Sequence, residues 1–300
     1  MREDWLWDRS GPPDPEIEQL EKTLAPLRYR HRALPPVRAP RRYWPIAAAA
    51  VAAAALLLVL PAPHAIETQW QVSGAKVRRG QILRTGSDSL HLEAAAVGRV
   101  DLGPNSELRA STDKRLALDR GQLHAFIWAR PTEFVVDTPS SRAIDLGCEY
   151  TLNVDKAGDG LLKVSMGWVA FALDGRESFI PAGAECRTRK HGGPGIPYYE
   201  DAPEALRSAV TAFDAGDRSV LPRLLEAARD RDGLTLWHVM TRVEGEQRGL
   251  VYDRLAELVP MLPGASREGV VRKDAESIDR CWDALGLENT AWWRGWERKW

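Results

Sequence analysis

The chain has 300 residues, 44% of them hydrophobic and 28% charged, with a formal net charge of −1. This balance is too apolar for a chain disordered throughout, too neutral for a global nucleic-acid footprint and too polar for a many-span membrane protein. Three cysteines exclude a disulfide-dense scaffold, no Cys/His cluster has zinc spacing, and the length allows roughly two folded domains.

The net charge hides segregation. Residues 1–45 carry nine basic and seven acidic side chains, 46–65 none, 66–195 seventeen and sixteen, and 196–300 fifteen and nineteen. The first 42 residues are too few for a core of their own. Within them Asp14-Pro15-Glu16 predicts a helix start, with an acidic N-cap, proline at the first helical position and an acid in the first turn. Ile17, Leu20, Leu24 and Leu27 then recur at helical spacing as one apolar stripe, and Trp5-Leu6-Trp7 forms a second apolar knot before the Gly11-Pro12-Pro13 turn. Such a helix, with nothing in its own segment to pack on, either lies on a membrane surface or docks in a partner's groove. The marked helix start and the tryptophans favour a partner, which makes Trp5, Trp7, Ile17, Leu20, Leu24 and Leu27 the candidate partner-binding residues. Residues 28–42, with Pro35, Pro36, Pro40 and six arginines, read as an extended basic linker able to rest on anionic lipid.

Residues 46–60 contain only Ile, Ala, Val and Leu. A helix needs about 20 apolar residues to cross a bilayer core. Residues 43–62 supply that length if Tyr43 and Trp44 sit at one interface and the prolines at the other. A transmembrane helix is therefore expected there. Arg38, Arg41 and Arg42 precede it, while the first basic residue after it is Lys76. The positive-inside rule then places the N-terminus in the cytoplasm and the bulk of the chain outside. On this reading Arg38, Arg41, Arg42, Tyr43 and Trp44 set the topology and anchor.

From about residue 71 the apolar period becomes two. Leu90-His91-Leu92-Glu93, Arg99-Val100-Asp101-Leu102, Leu116-Ala117-Leu118-Asp119 and Tyr150-Thr151-Leu152-Asn153-Val154 alternate, and glycines punctuate them. Short strands at such spacing predict a sandwich, a barrel or a β-solenoid, without choosing among them. Pro104-Asn105 predicts a turn, with asparagine tolerating the left-handed region. Gly86, Gly121 and Gly147 are expected to supply positive φ or close backbone approach.

Seven segments in order carry a resemblance. Residues 80–89 (GQILRTGSDS) resemble G-D-x-[IL]-x-T-G-x-x-S, with Gln81 in place of Asp, and residues 98–108 (GRVDLGPNSEL) look like G-S-x-[IV]-x-L-x-P-N-[ST]-x-[IL]. Residues 116–123 match L-x-L-x-x-G-[EQ]-[LV], residues 133–139 x-F-x-V-x-T-P, and residues 145–152 x-x-G-T-x-F-x-V with Cys148 in place of Thr. Residues 164–169 match V-x-x-G-x-V, and residues 180–185 (IPAGAE) are similar to the closing [LV]-x-A-G-[EQ]. In these motifs the chain resembles the FecR-domain family of anti-sigma-factor-like regulators. The resemblance implies an all-β, twisted solenoid-like domain and a single-pass inner-membrane protein. It also implies a cytoplasmic N-terminus acting on an extracytoplasmic-function sigma factor while the outer part receives an envelope signal. The N-terminal segment is about half the family's usual length and has no cysteine.

Glycines and a proline at residues 191–195 mark a linker, after which helical spacing returns. Leu206, Val210 and Phe213 predict one helix; Leu221, Leu224, Leu225 and Ala228 a second with Ser219 as N-cap; Leu234, Trp237 and Met240 a third. Leu250, Leu255 and Leu258 lie in a fourth, and Ile278, Trp282 and Leu285 in a fifth. Trp292, Trp293, Trp296 and Trp300 follow at helical spacing and read as core in preference to an aromatic binding surface. The six histidines lie in separate segments, and no HExxH, P-loop or dinucleotide fingerprint occurs. No catalytic, metal or cofactor site is therefore expected, and no nucleic-acid partner. Cys148 and Cys186 are a possible disulfide, two free buried thiols being the favoured alternative.

The expected architecture is mixed and multidomain: a cytoplasmic stub at 1–42, a transmembrane helix at 43–62, a FecR-like all-β domain at 63–190, a linker at 191–199 and an all-α domain at 200–300. The expected function is a membrane-anchored regulator, not an enzyme, with a sigma factor, an envelope or periplasmic protein and membrane lipid as partners. The alternative is a membrane-tethered periplasmic binding protein without a transcriptional role.

Overall fold

The computed structural model describes residues 15–25 and 69–287. The chain divides into two compact units, residues 1–63 and 64–300. The first contributes helix α1 (Pro15–Leu24). The second opens with β1 (Gln71–Val72), β2 (Ala75–Lys76), β3 (Ile82–Arg84), β4 (Leu90–Ala94), β5 (Gly98–Leu102) and β6 (Glu107–Thr112). It continues through β7 (Arg115–Ile127), β8 (Val135–Asp137), β9 (Arg142–Asp145), β10 (Glu149–Val154) and β11 (Gly160–Met166). The remaining strands are β12 (Trp168–Leu173), β13 (Arg176–Pro181), β14 (Ala184–Arg189), β15 (Gly193–Pro194) and β16 (Tyr198–Tyr199). Six helices follow: α2 (Glu204–Asp214), α3 (Leu221–Ala227), α4 (Gly233–Arg242), α5 (Gly245–Leu258), α6 (Arg267–Val271) and α7 (Ala275–Ala284).

The period-two pattern forms strands because alternate side chains leave opposite faces of the pleat. In β5 Val100 and Leu102 are buried while Arg99 and Asp101 face out, and β10 buries Tyr150, Leu152 and Val154 in the same way. Strand β7 is the spine. Its first half pairs with β6 and, in parallel, with β8; its second half pairs with β5 and β10. The switch falls at Gly121, whose φ is +96°. A Cβ there would lie 2.1 Å from Ser106 Oγ and 2.5 Å from Ser106 Cα. Ser106 uses that closeness, its Oγ accepting the Gln122 N–H at 2.9 Å. Asn105 takes a φ of +54° at the predicted turn, and Gly147 a φ of +92°.

The strand order runs β13-β12-β9-β8-β7-β10-β11-β14-β15, with the remaining strands branching from this path. It is open at both ends, and among the described residues every pair except β7–β8 is antiparallel. The twisted solenoid-like stack expected from the sequence is therefore corrected. A solenoid stacks repeats of one length so that each contacts only its neighbours. Here irregular hairpins double back, and a 13-residue strand serves four partners. The separate all-α domain is corrected with it, because the C-terminal helices share one buried core with the strands. Trp282 of α7 stacks edge-on to Trp237 of α4 (centroids 4.8 Å apart) and to Phe179 of β13 (5.8 Å), and lies 6.0 Å from Trp168 of β12. The chain is thus a mixed, sheet-rich body with C-terminal helices.

The membrane span is also corrected. Among the described residues no helix is long and apolar enough to cross a membrane. The longest, α5, has 14 residues and carries Glu246, Arg248, Asp253, Arg254 and Glu257. At 1.5 Å per residue it extends about 21 Å, short of a hydrocarbon core of about 30 Å. Residues 43–62, with the expected anchors Arg38, Arg41, Arg42, Tyr43 and Trp44, lie outside the described residues. The single-pass inner-membrane location rested on that helix and is withdrawn.

One helix start differs in detail from expectation, and one helix, α6, was not expected. Asp217, not Ser219, is the cap before α3: its side chain accepts the Ser219 N–H at 3.0 Å, opening a short 3-10 turn over Arg218–Val220. α6 is five residues long, too short for its apolar spacing to stand out; Ser266 caps it by accepting the Gly269 N–H.

Candidate functional site

The predicted helix start holds: α1 begins at Pro15 with Glu16 and Glu18 in its first turn and Lys22 in its last, complementing the helix dipole. None of its residues is buried. Ile17, Leu20 and Leu24 are 44%, 61% and 50% exposed, so the apolar stripe predicted from spacing is a water-facing surface. An isolated helix of ten residues is marginal in water. Its stripe gains stability only when covered. Trp5, Trp7 and Leu27 lie outside the described residues.

Cys148, Cys186 and Cys281 are free, buried thiols, so Cys148 and Cys186 are not paired. Cys148 belongs instead to a polar cluster inside the sheet. Asp145 ends β9 fully buried. Its Oδ1 accepts the Gly147 N–H at 2.8 Å, an aspartate turn that the positive φ of Gly147 completes, and its Oδ2 accepts the Cys148 thiol. Burial pushes the Asp145 carboxyl up to about 7 against those two hydrogen bonds. Burial and the neighbouring carboxylate also raise the Cys148 thiol. The Tyr150 hydroxyl is buried beside them with no hydrogen-bond partner among the described residues. A thiol held protonated is a poor nucleophile and a poor metal ligand. Among the described residues no group of three His, Cys, Asp or Glu side chains is placed to hold a metal.

A second buried network locks the helices to the strands. His238 in α4 accepts the Phe179 N–H on Nε2 at 3.0 Å and donates from Nδ1 to the Leu234 carbonyl at 2.8 Å, which fixes the neutral tautomer. Burial, reinforced by the Arg242 charge, lowers its pKa to about 3. One turn on, Arg242 Nη2 donates to Ser178 Oγ (2.6 Å), the Gly195 carbonyl (2.8 Å) and the Glu177 carbonyl (3.2 Å), and Nη1 faces Asp214 Oδ1 at 3.4 Å. Asp214 Oδ2 accepts the Ile196 N–H at 2.8 Å. Burial outweighs the mutual attraction of this pair: the Asp214 carboxyl is raised and Arg242 is drawn down to about 10. Sequence reading finds neither network. Arg242 meets Glu177 across 65 positions and Asp214 across 28, and no local spacing signals either contact.

No protein-family model matches the chain, and no curated protein matches it. Two solved structures from Parabacteroides distasonis, each described as a candidate anti-sigma factor, are similar over part of it. The first, solved at 1.65 Å, shares 14% identity with a TM-score of 0.36, covering 44% of this chain and 64% of its own. The second, at 2.50 Å, shares 12% identity with a TM-score of 0.36, covering 48% of this chain and 74% of its own. The chain thus spans about two thirds of the length of these neighbours.

Proposed function

We propose that this chain is a non-catalytic regulator of the FecR type, with α1 as the element that binds a sigma factor of the extracytoplasmic-function class. The strand-and-helix body of residues 69–287 receives the signal on this reading. The observation that carries it is the apolar face of α1: three aliphatic side chains at helical spacing, each at least 44% exposed, on a helix that buries none of its residues. Amphipathic helices of this kind dock by placing such anchors in a partner's groove. The choice of a sigma factor as partner rests on the seven FecR-like segments in chain order.

The test is binding of the full-length chain to the sigma factors of its host. Capture of a sigma factor by the wild type is expected, with Leu20→Asp/Leu24→Asp weakening it at least about 100-fold, since each substitution removes an anchor that docking would bury and inserts a charge. A double variant that binds as the wild type does, or no sigma factor retained by the wild type, overturns the reading.

A further inference from the structure

A cleft of about 560 Å³ opens where the start of β13, the loop after β14 and the end of α2 meet. Four arginines line it, Arg176, Arg189, Arg218 and Arg242, against two aspartates, Asp159 and Asp214. Arg242 and Asp214 form the buried ion pair at the back. Asp159 Oδ1 already accepts the Lys190 N–H at 2.9 Å. The other three arginines are held by uncharged groups. Arg176 Nη1 donates to the Gly192 carbonyl at 2.7 Å, Arg189 Nη2 to the Thr211 carbonyl at 3.4 Å, and the Arg218 guanidinium lies 4.0 Å from the centre of the Phe213 ring. A guanidinium has five N–H donors. One contact each therefore orients these groups and leaves most of their donors unused.

The charge is not neutralised. Arg176 and Arg218 both push down the pKa of the buried Arg242, a sign that their field reaches into the cleft. The C-terminal end of α2 also borders it, and exposed carbonyls there would oppose an anion. Three of them are covered: Thr211 O accepts Ala215 N–H and Arg189, Ala212 O accepts Ala215 and Asp217 N–H, and Phe213 O accepts Gly216 N–H. Three forked cations against one rim carboxylate leave an excess of two positive charges. A monocarboxylate balances half of that, whereas a phosphoryl dianion balances all of it and offers three oxygens to the arginine forks.

We propose that this cleft binds a phosphoryl group, free or carried on a larger molecule, through Arg176, Arg189 and Arg218. The site contains no residue of α1 and does not depend on the sigma-factor reading.

Titration calorimetry on the full-length chain at fixed ionic strength tests it, with inorganic phosphate, pyrophosphate, a sugar phosphate and acetate as probes. Pyrophosphate is expected to bind with a Kd of about 1 mM or tighter. Arg189→Gln and Arg218→Gln are each expected to weaken it about tenfold or more, while Arg109→Gln on β6 leaves it unchanged. Arg218 is exposed, with its guanidinium over the Phe213 ring, so its variant is expected to keep the fold, which an unchanged unfolding midpoint verifies. A sugar phosphate binding more tightly than inorganic phosphate assigns a carried phosphoryl group; the reverse order assigns the free anion. No pyrophosphate heat at millimolar concentration, acetate binding as tightly as pyrophosphate, or variants that bind as the wild type does would overturn the proposal.

Discussion

At Asp145 burial changes the ordinary chemistry of a carboxyl group. With no cation within reach among the described residues, burial outweighs the hydrogen bonds from one backbone N–H and one thiol, and the carboxyl holds its proton to about pH 7. In the unfolded chain the same group ionises near 3.8. Between those values the folded state binds the extra proton, so its contribution to stability is complete below pH 3.8 and is lost as pH rises through about 7. The loss is on the order of 4 kcal/mol. His238 acts with the opposite sign: its folded pKa of about 3 lies below the usual 6.5, so its contribution is lost as pH falls. The difference between wild type and Asp145→Asn therefore isolates the carboxyl. Urea unfolding is expected to show Asp145→Asn gaining on the wild type from about pH 4 to about pH 8. Parallel stability curves for the two proteins would show that Asp145 is ionised in the folded state.

Two elements carry most of the fold's geometry, β7 and the end of α4. Gly121→Ala puts a Cβ against the Ser106 backbone as well as into a left-handed conformation, and is expected to cost about 3 kcal/mol in denaturant unfolding. Gly80→Ala has a similar φ of +80° but meets nothing within 4 Å, and is expected to cost about 1 kcal/mol. Equal losses would mean that close packing at the β7 switch does not matter. At α4, Arg242→Ala leaves Asp214 buried without its cation and is expected to cost about 3–5 kcal/mol, with Arg242→Ala/Asp214→Asn losing less than the sum of the two single losses. Additive losses would show that the pair is uncoupled. The elements themselves were largely legible: alternation located β4, β5, β7 and β10, and helical spacing located α1, α2, α4 and α7. Both signals are local. What they could not show is which strands pair, so the resemblance implied a solenoid where β7 instead joins antiparallel arrays.

Within residues 69–287, helices and strands share one core, in which Trp282, Trp237 and Phe179 meet and against which Trp168 packs. Each of these was readable as apolar, but their meeting depends on contacts between residues more than 40 positions apart, which periodicity does not encode. The same holds for the arginine cleft, whose residues come from the β10–β11 turn, β13, β14, α2, α4 and the loops after β14 and α2. α1 is the opposite case. Its apolar stripe was legible at once because the whole surface belongs to ten consecutive residues. Hydrogen exchange on the full-length chain tests the central claim most directly, read at the amides of residues 16–25 with and without a sigma factor of the host. Docking of the Ile17, Leu20 and Leu24 face predicts slowed exchange along α1 when the sigma factor is added, and no slowing in Leu20→Asp/Leu24→Asp. Exchange along α1 that is unchanged while the sigma factor is bound elsewhere on the chain would contradict the account.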